Sequence, residues 1–86
     1  MAKVHTVKSH PVWFNAIWYG AKTAELRRDD RGYEVGDTLA QHEWKPETQT
    51  YTGRVIIAPI THIVRDTEHL SPGYAMLSLG DIARIE

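Results

Sequence analysis

The chain has no cysteine, and this absence excludes several kinds of chemistry. Without thiols there is no disulfide framework, no thiolate metal site and no cysteine nucleophile. The chain has five histidines, which are His5, His10, His42, His62 and His69. Their spacing does not match a known metal-binding motif. A glycine-rich phosphate loop is also missing. The sequence therefore predicts neither a bound metal ion nor a cofactor.

Long apolar runs and an excess of one charge are lacking as well. No apolar stretch approaches the roughly 18 residues that a membrane span requires, and the first residues do not read as a signal peptide. We therefore expect a cytoplasmic protein without a membrane partner. Ten Lys and Arg residues oppose 11 Asp and Glu residues, so the net charge is −1. Because duplex-coating proteins usually show a basic excess, any nucleic-acid binding is expected to be local or nucleoside-sized.

The length and the strand patterns predict one small α+β domain spanning residues 1–86. A helix begins at Pro11 and runs to about Tyr19, and Gly20 is expected to close it in the left-handed conformation. Strands are predicted over residues 3–8, 23–28, 38–44, 51–65 and 74–79, with a short strand or frayed tail after them. We predict a small, partly closed mixed β-barrel with one main helix packed against it, as a monomer or a weak homodimer.

The segment from Gly20 to Arg27 concentrates the most chemistry. In a strand, side chains alternate between two faces, so Thr23, Glu25 and Arg27 are expected to share one face. The two apolar residues between them are expected to point into the core: Ala24 and Leu26. The charges, with Lys22 beside them, either form a solvated ion pair or converge on a polar ligand.

Each charged side chain in this segment has a role that it can fill if a ligand binds. Lys22 is suited to hold a phosphate or carboxylate, or to act as a base if desolvation lowers its pKa. Glu25 is suited to accept hydrogen bonds from a base edge or to act as a general base. Arg27 is expected to orient Glu25 through a forked contact.

Candidates elsewhere in the chain each have a structural alternative. Trp44, Tyr51 and Tyr74 either stack on a base or pack within the fold. Arg65 either supplies a second cation or lies at a strand end as a surface charge. His5 either serves as an acid–base partner or is a hydrogen-bonded strand residue. The ligand-binding candidates are His5, Lys22, Thr23, Glu25, Arg27, Trp44 and Arg65.

The pattern Gly-x-Lys-x-x-Glu-x-Arg over residues 20–27 resembles the signature of the ASCH domains, a branch of the PUA-like superfamily. The similarity to small bacterial and phage members covers roughly residues 3–80 and includes the segments 4–8, 14–18, 33–37, 43–48, 51–54, 63–65 and 72–74. It implies a PUA-like barrel with the motif at the mouth of a cleft beside it. His5 matches the first-strand pattern of the family.

The resemblance implies a domain that binds RNA, a nucleotide or a modified nucleoside in this cleft. The alternative is a hydrolase acting on a nucleoside or RNA, with Lys22 or Glu25 as the catalytic base. One enzymatic branch deacetylates N4-acetylcytidine with a lysine, a threonine nucleophile and a glutamate. Lys22 aligns with that lysine, but Glu25 stands at the threonine position and Thr23 is displaced by two. A third interpretation is a protein-interaction module that uses an aromatic helix face of Phe14, Trp18 and Tyr19.

Overall fold

The structure is a computed structural model that describes residues 2–86. The elements are β1 (Val4–Ser9), α1 (Pro11–Trp18), β2 (Ala24–Arg28), β3 (Thr38–Lys45), β4 (Thr50–Val64), β5 (Tyr74–Leu79) and β6 (Ala83–Ile85). The main strand order is β1-β3-β4-β5-β2, and β6 pairs with β4 beside this path. β1 runs parallel to β3, while the other pairs are antiparallel. The result is an α+β arrangement dominated by one mixed sheet.

The predicted barrel is wrong, because the sheet does not close. β1 and β2 lie at the two ends of the strand order, and across residues 2–86 no backbone ladder joins them. α1 and the turn after it connect these edge strands along the chain. The two strands meet through a side chain instead, since Nη1 of Arg27 on β2 donates to the carbonyl oxygen of Lys8 on β1 at 3.2 Å. One side-chain hydrogen bond therefore bridges two edge strands that no ladder joins within residues 2–86.

The long strand β4 joins the two halves of the sheet. Its first part pairs with β3 and β6, and its last part pairs with β5. Although glycine and proline often interrupt strands, β4 is continuous through Gly53 and Pro59. The register of the ladder shifts twice, between His42 and Trp44 on β3, opposite the Gly53 segment, and between Ile60 and His62, just after Pro59. Both residues therefore lie at irregularities of the ladder without ending the strand.

The helix packs one aromatic stripe into the core. Phe14 and Trp18 are buried together with Ile17, and the two rings stack with centroids 5.6 Å apart. Trp13 lies outside this buried group and is 57% exposed. The helix ends as predicted, with Gly20 at a φ of 84°. Among residues 2–86 no helix has the length and apolar character to span a membrane.

Candidate ligand-binding cleft

A cleft of about 400 Å³ opens between α1 and the start of β2. The residues that line it are Trp13, Lys22, Glu25 and Leu26. Its volume falls in the range of pockets that hold small organic ligands, roughly 300–1,000 Å³. Two of the four lining side chains are apolar and two are charged, a combination that suits a flat ligand carrying an anionic group.

Glu25 is the centre of the charged cluster. Its side chain is buried, with Oε1 accepting from Nζ of Lys22 at 3.0 Å and Oε2 accepting from Nη1 of Arg27 at 3.0 Å. A carboxylate can be buried when ion pairs and hydrogen bonds compensate its desolvation. The Lys22 and Arg27 side chains stay 30% and 24% exposed. Two cations share one carboxylate, so the cluster as a whole carries one net positive charge, and its members Lys22 and Glu25 line the cleft.

The turn after α1 positions Lys22 beside the helix. The Gly20 N–H donates to the Ile17 carbonyl at 3.0 Å, and the Lys22 N–H donates to the Ala16 carbonyl at 2.9 Å. The left-handed backbone at Gly20 allows this reversal without steric strain. As a result, Nζ of Lys22 lies 5.5 Å from the centroid of the Trp13 ring, within cation–π range.

Sequence reasoning missed Trp13 and Leu26 as cleft residues. The spacing did not separate Trp13 from the buried face, because Trp13, Ala16 and Ile17 have the same i, i+3, i+4 spacing as Phe14, Ile17 and Trp18. Only the structure shows that the second set is the buried one, which leaves Trp13 exposed.

The prediction that Leu26 faces the core is also wrong. Leu26 is 55% exposed, whereas Glu25 is only 4% exposed. The register explains this inversion, since Glu25 lies opposite buried Leu77 and Leu26 lies opposite exposed Met76. Ala24, the other residue predicted to face the core, is half-buried. The strand alternates as expected, but with its charged face inward.

The structure places Thr23 and Arg65 away from the cleft lining. Thr23 is exposed and precedes β2, and its carbonyl accepts from the Leu79 N–H at 2.9 Å. Arg65 pairs with Asp29, with Nε 2.8 Å from Oδ2, and its Nη2 donates to the Tyr33 carbonyl at 3.0 Å. Arg65, which directly follows β4, therefore connects that strand to the loop that follows β2.

His5 is part of a separate buried cluster around Asp37. Its Nε2 lies 2.8 Å from Oδ2 of Asp37, which also accepts from the backbone N–H of Glu34, while Oδ1 accepts from the N–H of Lys3. The hydrogen bond with His5 and these backbone donors hold the pKa of Asp37 below its usual range. The His5 ring meets Tyr33 edge-on at 4.8 Å. This cluster ties β1 to the start of β3 and does not line the cleft.

Trp44 lies on the outer face of β3 in a group that we call the aromatic platform. Its members are Lys8, His42, Trp44 and Tyr51. Nζ of Lys8 is 3.9 Å from the Trp44 ring centroid. Tyr51 meets Trp44 edge-on at 4.7 Å and His42 edge-on at 5.9 Å. The cluster joins β1 to the hairpin of β3 and β4.

An ion pair that sequence reasoning did not single out holds α1 to the sheet. Arg54 donates to both Glu43 oxygens at 2.9 Å and to Oδ1 of Asn15 at 2.6 Å. Its guanidinium lies 5.1 Å from the Phe14 ring centroid and 4.8 Å from that of Trp18. The Arg54 hydrogen bonds lower the pKa of the Glu43 carboxyl, and Glu43 in turn raises the pKa of Arg54. The two residues are 11 apart across a bulged hairpin, so no local pattern revealed the pair.

Comparison with known proteins gives the family of this chain. Residues 4–79 match the model of a domain of unknown function, DUF3850. The chain belongs to the DUF3850 family. It is 43% identical over 84 residues to an uncharacterized 12.9 kDa protein in the GpA 3′ region of Escherichia phage P2. That alignment covers 95% of this chain and 74% of the phage protein.

This DUF3850 domain also buries polar atoms that have no hydrogen-bond partner within residues 2–86. They are Ser9 Oγ, the Tyr33 hydroxyl, and both the Nε2 and Oε1 of Gln41. Burial raises the pKa of the Tyr33 hydroxyl, and the nearby Arg27 charge opposes part of that rise. In the same range, no group of three or more His, Asp or Glu side chains is placed to hold a metal ion.

Proposed function

We propose that this DUF3850 domain binds a nucleotide, or a nucleotide unit of RNA, in the cleft. One observation carries the proposal. The Lys22 ammonium lies 3.0 Å from the Glu25 carboxylate and 5.5 Å from the ring of exposed Trp13. An exposed indole offers a stacking surface for a base, and a fixed ammonium beside it offers a contact for a phosphate.

The charge distribution supports a small, anionic ligand. The whole chain carries a net charge of −1, so it has no general attraction for polyanions. The cluster of Lys22, Glu25 and Arg27 nevertheless carries one net positive charge, and its Lys22 ammonium lines the cleft. The resemblance of residues 20–27 to the ASCH signature points in the same direction, since it implies a ligand cleft at this motif.

Binding is favoured over hydrolysis by what lines the cleft. Among the residues described as lining it, none carries a hydroxyl or thiol that could act as a nucleophile, so hydrolysis would need a water activated by Lys22 or Glu25. Both oxygens of Glu25 accept hydrogen bonds from cations, so Glu25 holds Lys22 and Arg27 in place. The alternative of an aromatic interaction face on α1 loses two of its three rings, because Phe14 and Trp18 are buried and only Tyr19 is exposed.

The experiment that tests this proposal is a calorimetric titration with the ribonucleoside 5′-monophosphates and the matching nucleosides. We expect the monophosphates to bind more tightly than the nucleosides. Lys22→Ala should abolish this preference, because the ammonium supplies the phosphate contact. Trp13→Ala should weaken the affinity for both ligand classes by about 5–150-fold. This range corresponds to the loss of one stacked base, which contributes about 1–3 kcal/mol.

Two matched variants control for charge and for aromatic content. Lys3→Ala removes an exposed cation outside the cleft, and Tyr19→Ala removes an exposed ring just after α1. Neither should change the affinity. Absence of binding by the unmodified protein, or an unchanged phosphate preference in Lys22→Ala, would reject the proposal. Release of a product that Glu25→Gln abolishes would favour the hydrolase instead.

A further inference from the structure

Two Lys–Trp pairs lie on either side of Arg27. In the cleft, the Lys22 ammonium is 5.5 Å from the Trp13 ring. In the aromatic platform, the Lys8 ammonium is 3.9 Å from the Trp44 ring. Each pair sets one cation beside one large aromatic ring, so the same combination of a phosphate contact and a base-stacking surface occurs twice.

Arg27 links the two pairs. Its Nη1 donates to Glu25 in the cleft at 3.0 Å and to the Lys8 carbonyl oxygen at 3.2 Å. The backbone of Lys8 therefore borders the charged cluster of the cleft, while its side chain reaches Trp44. Lys8 therefore contacts both groups, Arg27 through its carbonyl oxygen and Trp44 through its ammonium.

The platform has the composition of a surface that binds single strands. Tyr51 is 54% exposed, and Trp44 and His42 are half-buried beside it. Along the described strands β1 and β3, no carboxylate points outward on this face, since Glu43 turns inward to Arg54. Exposed rings with interspersed cations provide stacking for bases and charge complementarity for phosphates. A protein partner would instead have to desolvate the Lys8 ammonium that lies over Trp44.

We infer that the ligand is a single-stranded oligonucleotide that places one nucleotide in the cleft and passes over Lys8 to stack the next bases on Trp44 and Tyr51. This inference rests on the proposed function, because it takes the cleft as the site of the first nucleotide. It adds a second binding surface and a minimum length. Stacking on aromatic rings tolerates any base, so we expect little sequence preference from the platform.

The test measures affinity as a function of ligand length. The probes are uridine 5′-monophosphate and uridylate oligomers of about two, four and eight nucleotides, with thymidylate oligomers as the DNA counterparts. Affinity should rise by about tenfold or more from the mononucleotide to the tetramer, as the platform bases are added. Similar affinities for the two series would show that stacking and phosphate contacts suffice, whereas tighter uridylate binding would show that the strand is RNA.

Two variants on the platform test its role. Tyr51→Ala removes an exposed ring, and Lys8→Glu reverses an exposed charge while keeping the carbonyl that Arg27 contacts. Both should weaken tetramer binding by about tenfold and leave uridine 5′-monophosphate binding unchanged. Tyr74→Ala and Lys3→Glu are the matched controls, since both residues are exposed outside the platform. Lys8→Glu keeps the test decisive if Tyr51→Ala fails to fold.

The outcomes separate this inference from the proposed function. If mononucleotides bind but longer oligomers bind no more tightly, the platform is not part of the site and only the inference fails. If oligomers bind through the platform while Lys22→Ala and Trp13→Ala have no effect, the cleft proposal fails, and with it the path that the inference gives to the strand. If no probe binds, both fail. A dimer that Tyr51→Ala dissociates, without oligonucleotide binding, would show that the platform is a protein interface.

Discussion

Arg27 on β2 donates one hydrogen bond to the carbonyl oxygen of Lys8 on β1, and this contact joins the two edge strands of an open sheet. The same guanidinium nitrogen also donates to buried Glu25. One side chain therefore bridges the two edge strands and, together with Lys22, compensates a buried carboxylate. We therefore expect the stability of the fold and the position of Glu25 in the cleft to depend on Arg27.

We predict that Arg27→Met will lower the free energy of unfolding by about 1.5–3 kcal/mol, the usual contribution of hydrogen bonds to a charged group. Methionine keeps most of the aliphatic stem, so the loss of unfolding free energy measures the contribution of the guanidinium group. Urea unfolding measures the change. The adjacent variant Arg28→Met is the control, since Arg28 is exposed and should change stability by no more than about 0.5 kcal/mol. Equal effects at both positions would contradict the role given to Arg27.

Gly20→Val should destabilise the protein through backbone strain. Gly20 has a φ of 84°, and a β-branched residue is strongly disfavoured there, by at least the roughly 1–2 kcal/mol of a left-handed non-glycine residue. A Cβ at this position meets no heavy atom within 4 Å, so steric crowding contributes little. Gly20→Asn should be milder, because asparagine tolerates this conformation. Thermal unfolding of the two variants would refute the argument if asparagine proved as harmful as valine.

The Glu43–Arg54 pair should make the fold sensitive to acid. Arg54 lowers the pKa of Glu43 in the folded state. The stabilisation that this pair gives to the fold is therefore fully present above the ordinary glutamate pKa of 4.5. It is lost as the pH falls below that value through the pKa of the folded state. Urea unfolding from about pH 6 to about pH 3 should therefore show falling stability.

Glu43→Gln isolates this contribution, because the amide cannot be protonated in this range. Its stability should be lower at neutral pH but should depend less on pH below about 4.5. Glu47→Gln, in the exposed turn between β3 and β4, should follow the unmodified protein. A slope in Glu43→Gln identical to that of the parent protein would place the acid sensitivity elsewhere.

Gln41→Met should raise the stability of the fold. Both polar atoms of the Gln41 side chain are buried without a hydrogen-bond partner within residues 2–86. Leaving a buried polar group unpaired destabilises a protein by about 1–3 kcal/mol, and methionine has a similar shape without that penalty. Gln41→Ala should lower stability, because it leaves a cavity. A loss of stability in both variants would mean that the amide has a partner, such as a bound water.

Several features of this fold follow from the sequence alone, because they depend on neighbouring residues. β5 begins at Tyr74 and ends at Leu79 as predicted, since its apolar alternation is bounded by turn residues. Gly20 has the predicted left-handed backbone, because the helix needs a residue without a Cβ where it ends. The pairing of Arg27 with Glu25 also follows from spacing, since residues two apart in a strand share a face.

Only the tertiary structure decided which face of each element is buried and which distant residues meet. Alternation groups Glu25 with Arg27, but burial of that face depends on Leu77 of β5 and on two cations that compensate the carboxylate. The open sheet, the Glu43–Arg54 pair and the contact of Arg27 with Lys8 join residues far apart in the chain. Such contacts leave no periodic signal in the sequence, because they depend on strand order and register rather than on the local pattern.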